Sequence, residues 1–242
     1  MHAVITAGGR VDGAMQTAMG TPVKALARVR GRTMLEAAID AARGAGARSV
    51  TVIGGDEIRS GNFDLDRLID EAPSGRENVL NALDAWDGKE PLLYLTSDMP
   101  YVTPSALITF VTRVPPDTVA MAVAEEIDFL RRFPNPPAHG VRLGNEYVTN
   151  GGAFLLPAGS RDAVRALATR FFEARKSLFQ MALLLGPGLL FRFLIRRLTI
   201  ADLENHALNV LGIPARAIRG CAPELAYDID TLPEYEYAIR QA

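Results

Sequence analysis

The sequence predicts an α/β fold with a mostly parallel sheet. Short strand-like runs alternate with helix-like stretches through residues 3–125, which is typical of repeated βαβ units. Residues 50–53 are all β-branched and residues 92–95 are apolar, as strands buried on both faces require. The 242 residues, 48% of them hydrophobic, are enough to bury one sizeable core. We therefore expect a single domain over residues 1–242.

Caps and breakers set the expected bounds of the elements in the first half. Ser74 and Glu77 have the spacing of a capping box, and Pro104 follows the capping residue Thr103. The expected strands are an apolar run from residue 3 and residues 50–53, 92–95 and 119–124; the expected helices are residues 34–45, one that opens at 74–77 and runs through 83, and one that begins at 104; residues 65–69 fit a short helix or a strand.

After Glu125 the pattern changes. Residues 133–137 contain three prolines and are expected to form an irregular excursion over the site. Gly144 and Asn145 are expected to turn a hairpin between residues 141–143 and 147–148. The remaining expected elements are a strand at 153–156, a helical insertion at about 158–211 that is broken at 186–188 and capped again at 199, a strand near 215–218, and a final helix capped by Thr231 and Glu234.

Composition limits the function classes. A formal net charge of −2 gives no bulk electrostatic reason to expect a nucleic-acid partner. The single cysteine, Cys221, excludes an intramolecular disulfide framework and is expected to be buried. No uninterrupted apolar run reaches the roughly 18 residues of a spanning helix, and no basic n-region precedes the first strand. We therefore expect a soluble cytoplasmic protein without a membrane span.

The first strand runs into a loop that suits phosphate. The sequence AVITAGGR at residues 3–10 ends in Gly8, Gly9 and Arg10, and Lys24 follows downstream. Glycines let the backbone approach a ligand, and successive N–H groups can hold anionic oxygens, to which the two cations would add full charges. Taken alone, a tight turn with two solvated cations explains these residues equally well. The spacing is neither G-x-x-x-x-G-K-[ST] nor G-x-G-x-x-G.

Acidic residues follow two of the later elements. Asp98 comes just after a buried strand, at the sheet edge where α/β folds place their ligands, and a carboxylate there can hold Mg²⁺. A structural cap on the next turn is the alternative for this residue. Asp228 and Asp230 are two apart in an extended segment and share a face, which a solvated acidic pair also explains. Ser74 to Asn78 can contact a base or ribose, although a plain helix cap explains Ser74 and Glu77.

Six segments occur in a fixed order that carries more information than any of them alone. They are AVITAGGR (3–10), KALARVRGRTMLEAAIDA (24–41), SGRENVLNAL (74–83), LYLTSDMPYVTPSAL (93–107), NGGAFLLP (150–157) and DIDTLPEYEYA (228–238). Together they resemble the nucleotidyltransferases of the molybdenum-cofactor guanylyltransferase-like group, which also includes relatives that make nucleotide-activated sugars and alcohols. The resemblance implies a Rossmann-like three-layer α/β/α domain of the glycosyltransferase-A type.

The resemblance also implies roles for individual residues. It makes Lys24 and Arg10 the catalytic contacts to phosphate, and Asp98 and Asp230 the ligands of Mg²⁺. The preference for Asp230 over Asp228 depends on its place directly before Thr231. The other implied site residues are Ala7, Gly8 and Gly9 at the nucleotide loop, Gly75, Arg76, Glu77 and Asn78 near the base and ribose, and Asn150, Gly151 and Gly152 beside the acceptor.

The implied reaction is Mg²⁺-dependent transfer of a nucleoside monophosphate from a nucleoside triphosphate to a phosphorylated small-molecule acceptor, with release of pyrophosphate. Two alternatives stay open: a glycosyltransferase of the same fold that uses a nucleotide sugar, and a non-catalytic nucleotide-binding protein. The chain departs from the group in two places. Residues 11–21 lengthen the loop and Val23 separates Pro22 from Lys24, and the helical insertion has no counterpart in the smaller guanylyltransferases.

Residues 177–198 are the most unusual segment. Leu178, Met181, Ala182 and Leu185 fall on one face of a helix that ends at residues 186–188, and a second, nearly all-apolar helix follows, with three arginines as its only charges. Three interpretations compete: a helical hairpin packed on the core, a surface for self-association into a homodimer, and a basic apolar patch for a lipid-linked acceptor. We expect a helical subdomain that shapes the acceptor side of the cleft.

Overall fold

The computed structural model describes residues 1–137, 140–144, 146–174 and 178–241, with side chains for all of these except residues 150 and 178–183. The strands are β1 (His2–Thr6), β2 (Arg28–Val29), β3 (Arg32–Thr33), β4 (Ser49–Gly54), β5 (Arg67–Asp70), β6 (Leu92–Thr96), β7 (Val119–Glu125), β8 (Val141–Leu143), β9 (Glu146–Leu156) and β10 (Ala215–Ile218). The helices are α1 (Gly13–Met19), α2 (Met34–Gly44), α3 (Asp56–Arg59), α4 (Gly75–Asp84), α5 (Pro104–Arg113), α6 (Glu126–Arg132), α7 (Arg161–Ala174), α8 (Leu178–Leu194), α9 (Ile200–Leu211) and α10 (Leu232–Arg240). Short 3-10 turns cover Lys24–Leu26 and Pro223–Leu225.

The main sheet has the order β10-β7-β9-β6-β1-β4-β5, and β8 pairs with the outer part of β9. Strand β1 is central and pairs in parallel with β4 and β6, and β4–β5 and β7–β10 are also parallel. Strand β9 runs antiparallel to both of its neighbours, β6 and β7. The mostly parallel α/β sheet predicted from the sequence is therefore confirmed, and it brings the carboxyl ends of β1, β4 and β6 to one edge.

Helices cover both faces of the sheet. On one face α2 and α5 pack against β1, β4 and β6, and four alanines of α2 are almost completely buried there. On the other face α4 packs around Trp86, and α7 lies beside it. Two ion pairs join these two helices, Arg165 with Asp84 at 2.6 Å and Arg76 with Glu173 at 3.1 Å. Polar sequence signals decide the helix starts, since Thr33, Ser74, Thr103 and Thr199 each accept a hydrogen bond from a first-turn amide.

The structure settles the elements that the pattern left open. Residues 65–69 contribute strand β5, and the excursion at 133–137 follows a helix, α6, that the sequence did not indicate. The predicted strand at 153–156 is the end of the longer β9, whose first part pairs with β8 as the expected hairpin. Asn145, in the predicted turn of that hairpin, lies outside the described residues.

The helical insertion consists of α7, α8 and α9 in sequence. The α8 segment is broken at Gly186, whose φ of 81° and ψ of 157° are not helical, so the predicted break at 186–188 is confirmed. Thr199 and Asp202 form the capping box that starts α9. The start of the predicted amphipathic face lies outside the described residues and side chains. No helix within the described ranges combines the length and the apolar character needed to cross a membrane.

Candidate active site

Backbone pairing holds the loop after β1 against the segment that carries Lys24. The Lys24 amide donates to the Gly9 carbonyl and the Val11 amide to the Pro22 carbonyl, both at 2.9 Å. Between these bonds, Arg10 and Val23 form an antiparallel bridge. The extra residues of the loop fold as α1, so the added length does not move Lys24 away from the glycines.

The Lys24 ammonium lies between two carboxylates from distant parts of the chain. Its Nζ is 2.8 Å from Oδ2 of Asp98 and 2.7 Å from Oδ1 of Asp230. The lysine side chain is 14% exposed, so the pair of ionic contacts is shielded from bulk water. Burial by itself lowers the pKa of Lys24, but the two carboxylates outweigh it and hold that pKa above its ordinary value. Lys24 is therefore a fixed positive charge beside the glycine loop.

One backbone contact brings the C-terminal acidic segment to the end of β6, and a helix cap sets the direction of the chain there. The amide of Ile229, a completely buried residue, donates to the carbonyl of Asp98 at 3.1 Å. The amides of Asp230 and Thr231 both donate to Oε2 of Glu234, at 2.7 and 2.6 Å. The capping of α10 thus fixes the chain direction that aims Asp230 at Lys24.

The residues present fit a divalent cation. One ammonium contacts both Asp98 and Asp230, so the two carboxylates come within reach of a single cation. The other oxygen of Asp98, Oδ1, is buried and meets no hydrogen-bond partner among the described residues, which leaves it free to act as a ligand. Within those residues no group of three or more His, Cys, Asp and Glu side chains is arranged around a metal position. Mg²⁺ typically takes only one or two protein carboxylates and completes its shell with phosphate and water.

Asp228 is a third carboxylate of this cluster. Desolvation within the cleft, together with the negative charges of Asp98 and Asp230, raises the pKa of Asp228 to about 7. The residue as a whole is exposed to solvent, and the repulsion from Asp98 and Asp230 disfavours its charged form. From the sequence, Asp228 was only the alternative to Asp230 as a ligand of the metal.

A second group of side chains lies on the other side of the glycine loop, beside α4. A Cβ on Gly8 would be 2.7 Å from Nδ2 of Asn78 and 2.9 Å from Oε2 of Glu71, so glycine is required there by close approach. Asn78 is buried and accepts a hydrogen bond from the Ala72 amide at 2.6 Å. Buried Oε2 of Glu71 meets no partner in the described part of the chain. The loop thus has a polar wall made by Asn78 and Glu71.

Arg10 lies on this second side of the loop. Its guanidinium donates to Oε1 of Glu71 at 2.9 Å and to Oε2 of Glu57 at 3.0 Å. Both glutamates come from the carboxyl side of neighbouring strands, Glu57 after β4 and Glu71 after β5. Lys24 instead contacts the aspartate cluster. The structure therefore separates the two cations that the sequence grouped together, and Arg10 contacts phosphate only if it leaves its glutamate partners.

The family of this chain follows from comparison with known proteins. Residues 3–184 match the family described as the MobA-like NTP transferase domain. The chain belongs to this family. It is a transferase enzyme, as the resemblance of its motifs indicated. Comparison with curated protein sequences finds no significant match.

Solved structures share the fold of this NTP transferase over their whole length. A hypothetical transferase from Thermus thermophilus superposes with a TM-score of 0.83 at 27% identity, covering 98% of this chain and 100% of that one. A Mycobacterium tuberculosis H37Rv protein in complex with manganese gives a TM-score of 0.55 at 17% identity, covering 100% and 98%. The 2-C-methyl-D-erythritol 4-phosphate cytidylyltransferase, also from Thermus thermophilus, gives 0.54 at 18%, covering 99% and 97%.

On the predicted base side of the NTP transferase, α4 begins at Gly75, where an added Cβ would meet no other atom. Glu77 donates its amide to the capping hydroxyl of Ser74, and the Ser74 hydroxyl donates to the Glu77 carboxylate. These two residues therefore serve the helix cap, whatever further contact Glu77 makes. Arg76 pairs with Glu173 of α7, so it links α4 to the helical insertion.

On the predicted acceptor side, residues 150–152 lie inside β9. A Cβ on Gly151 would be 2.6 Å from the Leu225 carbonyl, and one on Gly152 would overlap the Thr96 hydroxyl. Close packing within the sheet thus explains both glycines, and the side chain of Asn150 lies outside the described set. The roles of all three residues at the acceptor stay predictions.

A cavity of about 190 Å³ lies beside the aspartate cluster, where the sequence showed none. The proline-rich excursion borders it through Pro136, and Thr149 of β9 also lines it. Thr149 is buried, and its hydroxyl meets no partner among the described residues. Asp228 and Asp230 complete the wall. The excursion therefore borders the site, as expected from the sequence.

Sequence analysis missed Glu57, Glu71 and Thr149. Glu57 and Glu71 follow the ends of strands and Thr149 lies inside one, and no spacing rule marks any of them. The position of Glu71, shortly before the cap of α4, is the one available signal, because that segment must pass the glycine loop to start the helix.

Proposed function

We propose that this NTP transferase moves a nucleoside monophosphate from a nucleoside triphosphate to a phosphorylated small-molecule acceptor in the cytoplasm, with Mg²⁺ as its metal and pyrophosphate as the second product. The observation that carries the proposal is the contact of one buried ammonium, Lys24, with both Asp98 and Asp230 next to the glycine loop. A fixed positive charge and two convergent carboxylates are what a triphosphate and its metal require together.

Related proteins support the finer parts of the proposal. The cytidylyltransferase from Thermus thermophilus is named for an acceptor that carries a phosphate, and the Mycobacterium tuberculosis relative was solved with manganese. A phosphate oxygen is already ionised at neutral pH, so the acceptor needs no strong general base. This agrees with a site that holds carboxylates and a lysine.

The residues then divide the work by position. The acceptor phosphate oxygen attacks the α-phosphorus, a new P–O bond forms, and the bond to the leaving pyrophosphate breaks. Bound at Asp98 and Asp230, the metal would neutralise phosphate charge. Lys24, released from one carboxylate, is placed to meet the leaving phosphates, and the Gly8 and Gly9 backbone lies open to the nucleotide. Holding both phosphates in line and meeting the developing charge accounts for catalysis of this kind.

Lys24→Ala tests the proposal directly. We expect kcat/KM for pyrophosphate release to fall by about 30- to 1000-fold, the effect of losing about 2–4 kcal/mol of preorganised electrostatic stabilisation. The melting temperature should change little, since Lys24 contributes charge more than packing. Lys89→Ala, which removes an exposed lysine far along the chain, is the matched control. Near-normal turnover of Lys24→Ala would refute the assigned role.

The nucleotide itself is tested by thermal shift. The four nucleoside triphosphates are added separately with and without Mg²⁺, and the binding partner raises the melting temperature by mass action. We expect a metal-dependent shift for at least one of them, and no shift for Asp98→Asn. A nucleotide sugar that stabilises the protein better than any triphosphate would instead indicate a glycosyltransferase.

A further inference from the structure

The sheet face under the helical insertion holds an apolar cavity that the transferase chemistry does not use. One chamber of about 560 Å³ lies between β6, β9 and helices α4, α7, α8 and α9. A second chamber of about 520 Å³ continues from it toward β8 and β10. The two chambers lie side by side along the same face of the sheet, since five residues line both: Val119, Met121, Phe154, Leu167 and Ala207.

The size of this space is the first argument for a ligand. Protein interiors are close-packed, and voids larger than a water molecule are few. This space is partly open to solvent, so without a ligand its apolar wall would face water, which is unfavourable. Ligand pockets, in contrast, span about 300–1,000 Å³, which is the range of each chamber.

The chemistry of the wall is the second argument. Two of its polar groups already have partners inside the protein: Tyr94 shares a hydrogen bond with Thr6 at 3.0 Å, and His206 bonds the Leu184 carbonyl at 3.0 Å. Burial raises the pKa of Tyr94 to about 12, which keeps it neutral. In the second chamber, Glu204 pairs with Arg216 at 3.1 Å. A wall of this kind favours a ligand without hydrogen-bonding groups.

The direction in which the space extends across the sheet is the third argument. It passes under β6, β9, β7 and β10, which are neighbours in the sheet, so it spans three interstrand spacings or about 14 Å. One end is lined by Thr96 and Val79. Thr96 lies two residues before Asp98, and Val79 follows Asn78, so this end lies at the edge of the sheet that carries the active site. An elongated apolar ligand would therefore have one end near the reacting groups.

We propose that the cavity binds a single hydrocarbon chain, and that this chain belongs to the phosphorylated acceptor. The acceptor is then an amphiphile, whose phosphate reaches the aspartate cluster while its chain lies between the sheet and α7 to α9. The identification of the ligand as the acceptor rests on the proposed nucleotidyl transfer. Its chemical class, a hydrocarbon chain, rests on the cavity alone. Binding of this chain also gives the helical insertion a function.

The test uses dodecyl phosphate and butyl phosphate, which share a headgroup and differ in chain length. Both are titrated into the full chain below the critical micelle concentration. Because each buried methylene strengthens binding about fourfold, we expect dodecyl phosphate to bind at least about 100-fold more tightly. Trp86 is the single tryptophan and packs with Leu83, a wall residue. A dodecyl phosphate brominated in the half of its chain nearer the phosphate, which would lie in the chamber lined by Leu83, should therefore quench its fluorescence.

Ala207→Phe places a ring into the space shared by both chambers, and Ala201→Phe on the exposed side of the same helix is the matched control. We expect the first variant to lose most of the chain-length dependence and the second to keep it. Equal binding of the two phosphates to the wild type would overturn the proposal without any variant. Chain-dependent binding that survives Ala207→Phe unchanged in a folded protein would also overturn it.

The thermal shift with Mg²⁺ and nucleoside triphosphate, measured without amphiphile, keeps the two proposals apart. If a triphosphate stabilises the protein and dodecyl phosphate binds no better than butyl phosphate, the hydrocarbon site is wrong and the transferase assignment stands. If no triphosphate binds, the transferase assignment fails on its own evidence.

Discussion

The two faces of the central sheet are packed in different ways. On the face covered by α2 and α5, small side chains allow close approach: Ala37, Ala38, Ala41 and Ala42 of α2 are almost fully buried, and a Cβ on Gly44 would lie 2.6 Å from Pro104. On the face covered by α7 to α9, the cavity lies between part of these helices and the strands. The first face is therefore close-packed, and the second contains unfilled volume.

This difference bears on function because the proposed active site lies where the faces meet. Met99 and Val102, just after Asp98, are buried in the core of the close-packed face, so the metal-side carboxylate is held by a rigid layer. Helix α6 and the excursion border the cavity beside the aspartate cluster, and we predict that the acceptor binds on that side. A nucleotidyltransferase needs a fixed phosphate site, whereas acceptor preference is set by loops and insertions that differ between relatives.

The largest loss of activity is expected from substitutions at the edge of the close-packed face, which α2 and α5 cover. Asp98→Asn and Asp230→Asn should each remove most Mg²⁺-dependent turnover, because each deletes a charge that faces the same cation position. Asp228→Asn should do less, since Asp228 has no contact with Lys24 among the described residues. Pyrophosphate release at several Mg²⁺ concentrations measures all three.

Two outcomes of that series are informative in opposite directions. If added Mg²⁺ partly rescues Asp230→Asn but not Asp98→Asn, Asp98 is the stronger ligand, in agreement with its greater burial. If Asp228→Asn proves the most damaging change, the metal register is wrong by two residues.

The next prediction compares how added side-chain volume changes stability on the two faces. Ala41→Leu, on the close-packed face, should lower the free energy of unfolding by about 1–3 kcal/mol because the layer has no room for extra atoms. Ala168→Leu, in the wall of the cavity, should leave that free energy unchanged or raise it. Urea unfolding of both variants decides the matter. Equal losses would mean that both faces are packed to the same density.

A smaller effect is expected from pH in the metal-free protein. The folded-state pKa of Asp228, about 7, lies above the ordinary aspartate value of about 3.9. Ionised Asp228 therefore destabilises the folded protein. This loss of stability is nearly absent at pH 4 and fully present above pH 7. Asp228→Asn should therefore raise the melting temperature at pH 8 and leave it almost unchanged at pH 4. The shift should be modest because the residue is exposed. Calorimetry in EDTA measures it, and equal shifts at both pH values would contradict the assignment.

The smallest effect on folding is expected from a substitution near the end of α8, on the face of the sheet that holds the cavity. Phe191, Phe193 and Leu194 are each more than half exposed, and Arg192, which pairs with Asp202, lies among them. If this patch forms a homodimer, Phe191→Glu should convert a dimer to a monomer in light scattering, with Asn205→Glu as an exposed control on α9. A monomeric wild type would remove the interface, and flotation with anionic liposomes would then favour the lipid interpretation.

Local signals in the sequence were sufficient for much of the fold. Capping pairs such as Thr199 with Asp202 and Thr231 with Glu234 act within one turn of helix, so their spacing can be recognised without the tertiary structure. The buried strands were recognisable for the same reason, because a strand covered on both faces is apolar along its length. Helix α6 was missed because it is only seven residues long, too short for a helical repeat of apolar residues to stand out.

The site was partly predictable from the order of its motifs. Lys24, Asp98 and Asp230 were identified by resemblance, and the structure brings all three together. That they form one cluster follows from a contact between residues 206 positions apart in the chain, and no local pattern encodes such a distance. The assignment of their roles, and the extent of the single domain, stay predictions.

The sequence by itself determined the fold class and the family, and it predicted which charged residues form the site, because periodicity, caps and motif order can be recognised without the tertiary structure. Only the tertiary structure decided which charges pair. It placed Arg10 with Glu57 and Glu71, and Lys24 with the aspartates. It also decided how much space is left under α7 to α9. Volume depends on how side chains from distant segments meet, and the sequence of each segment does not contain that information.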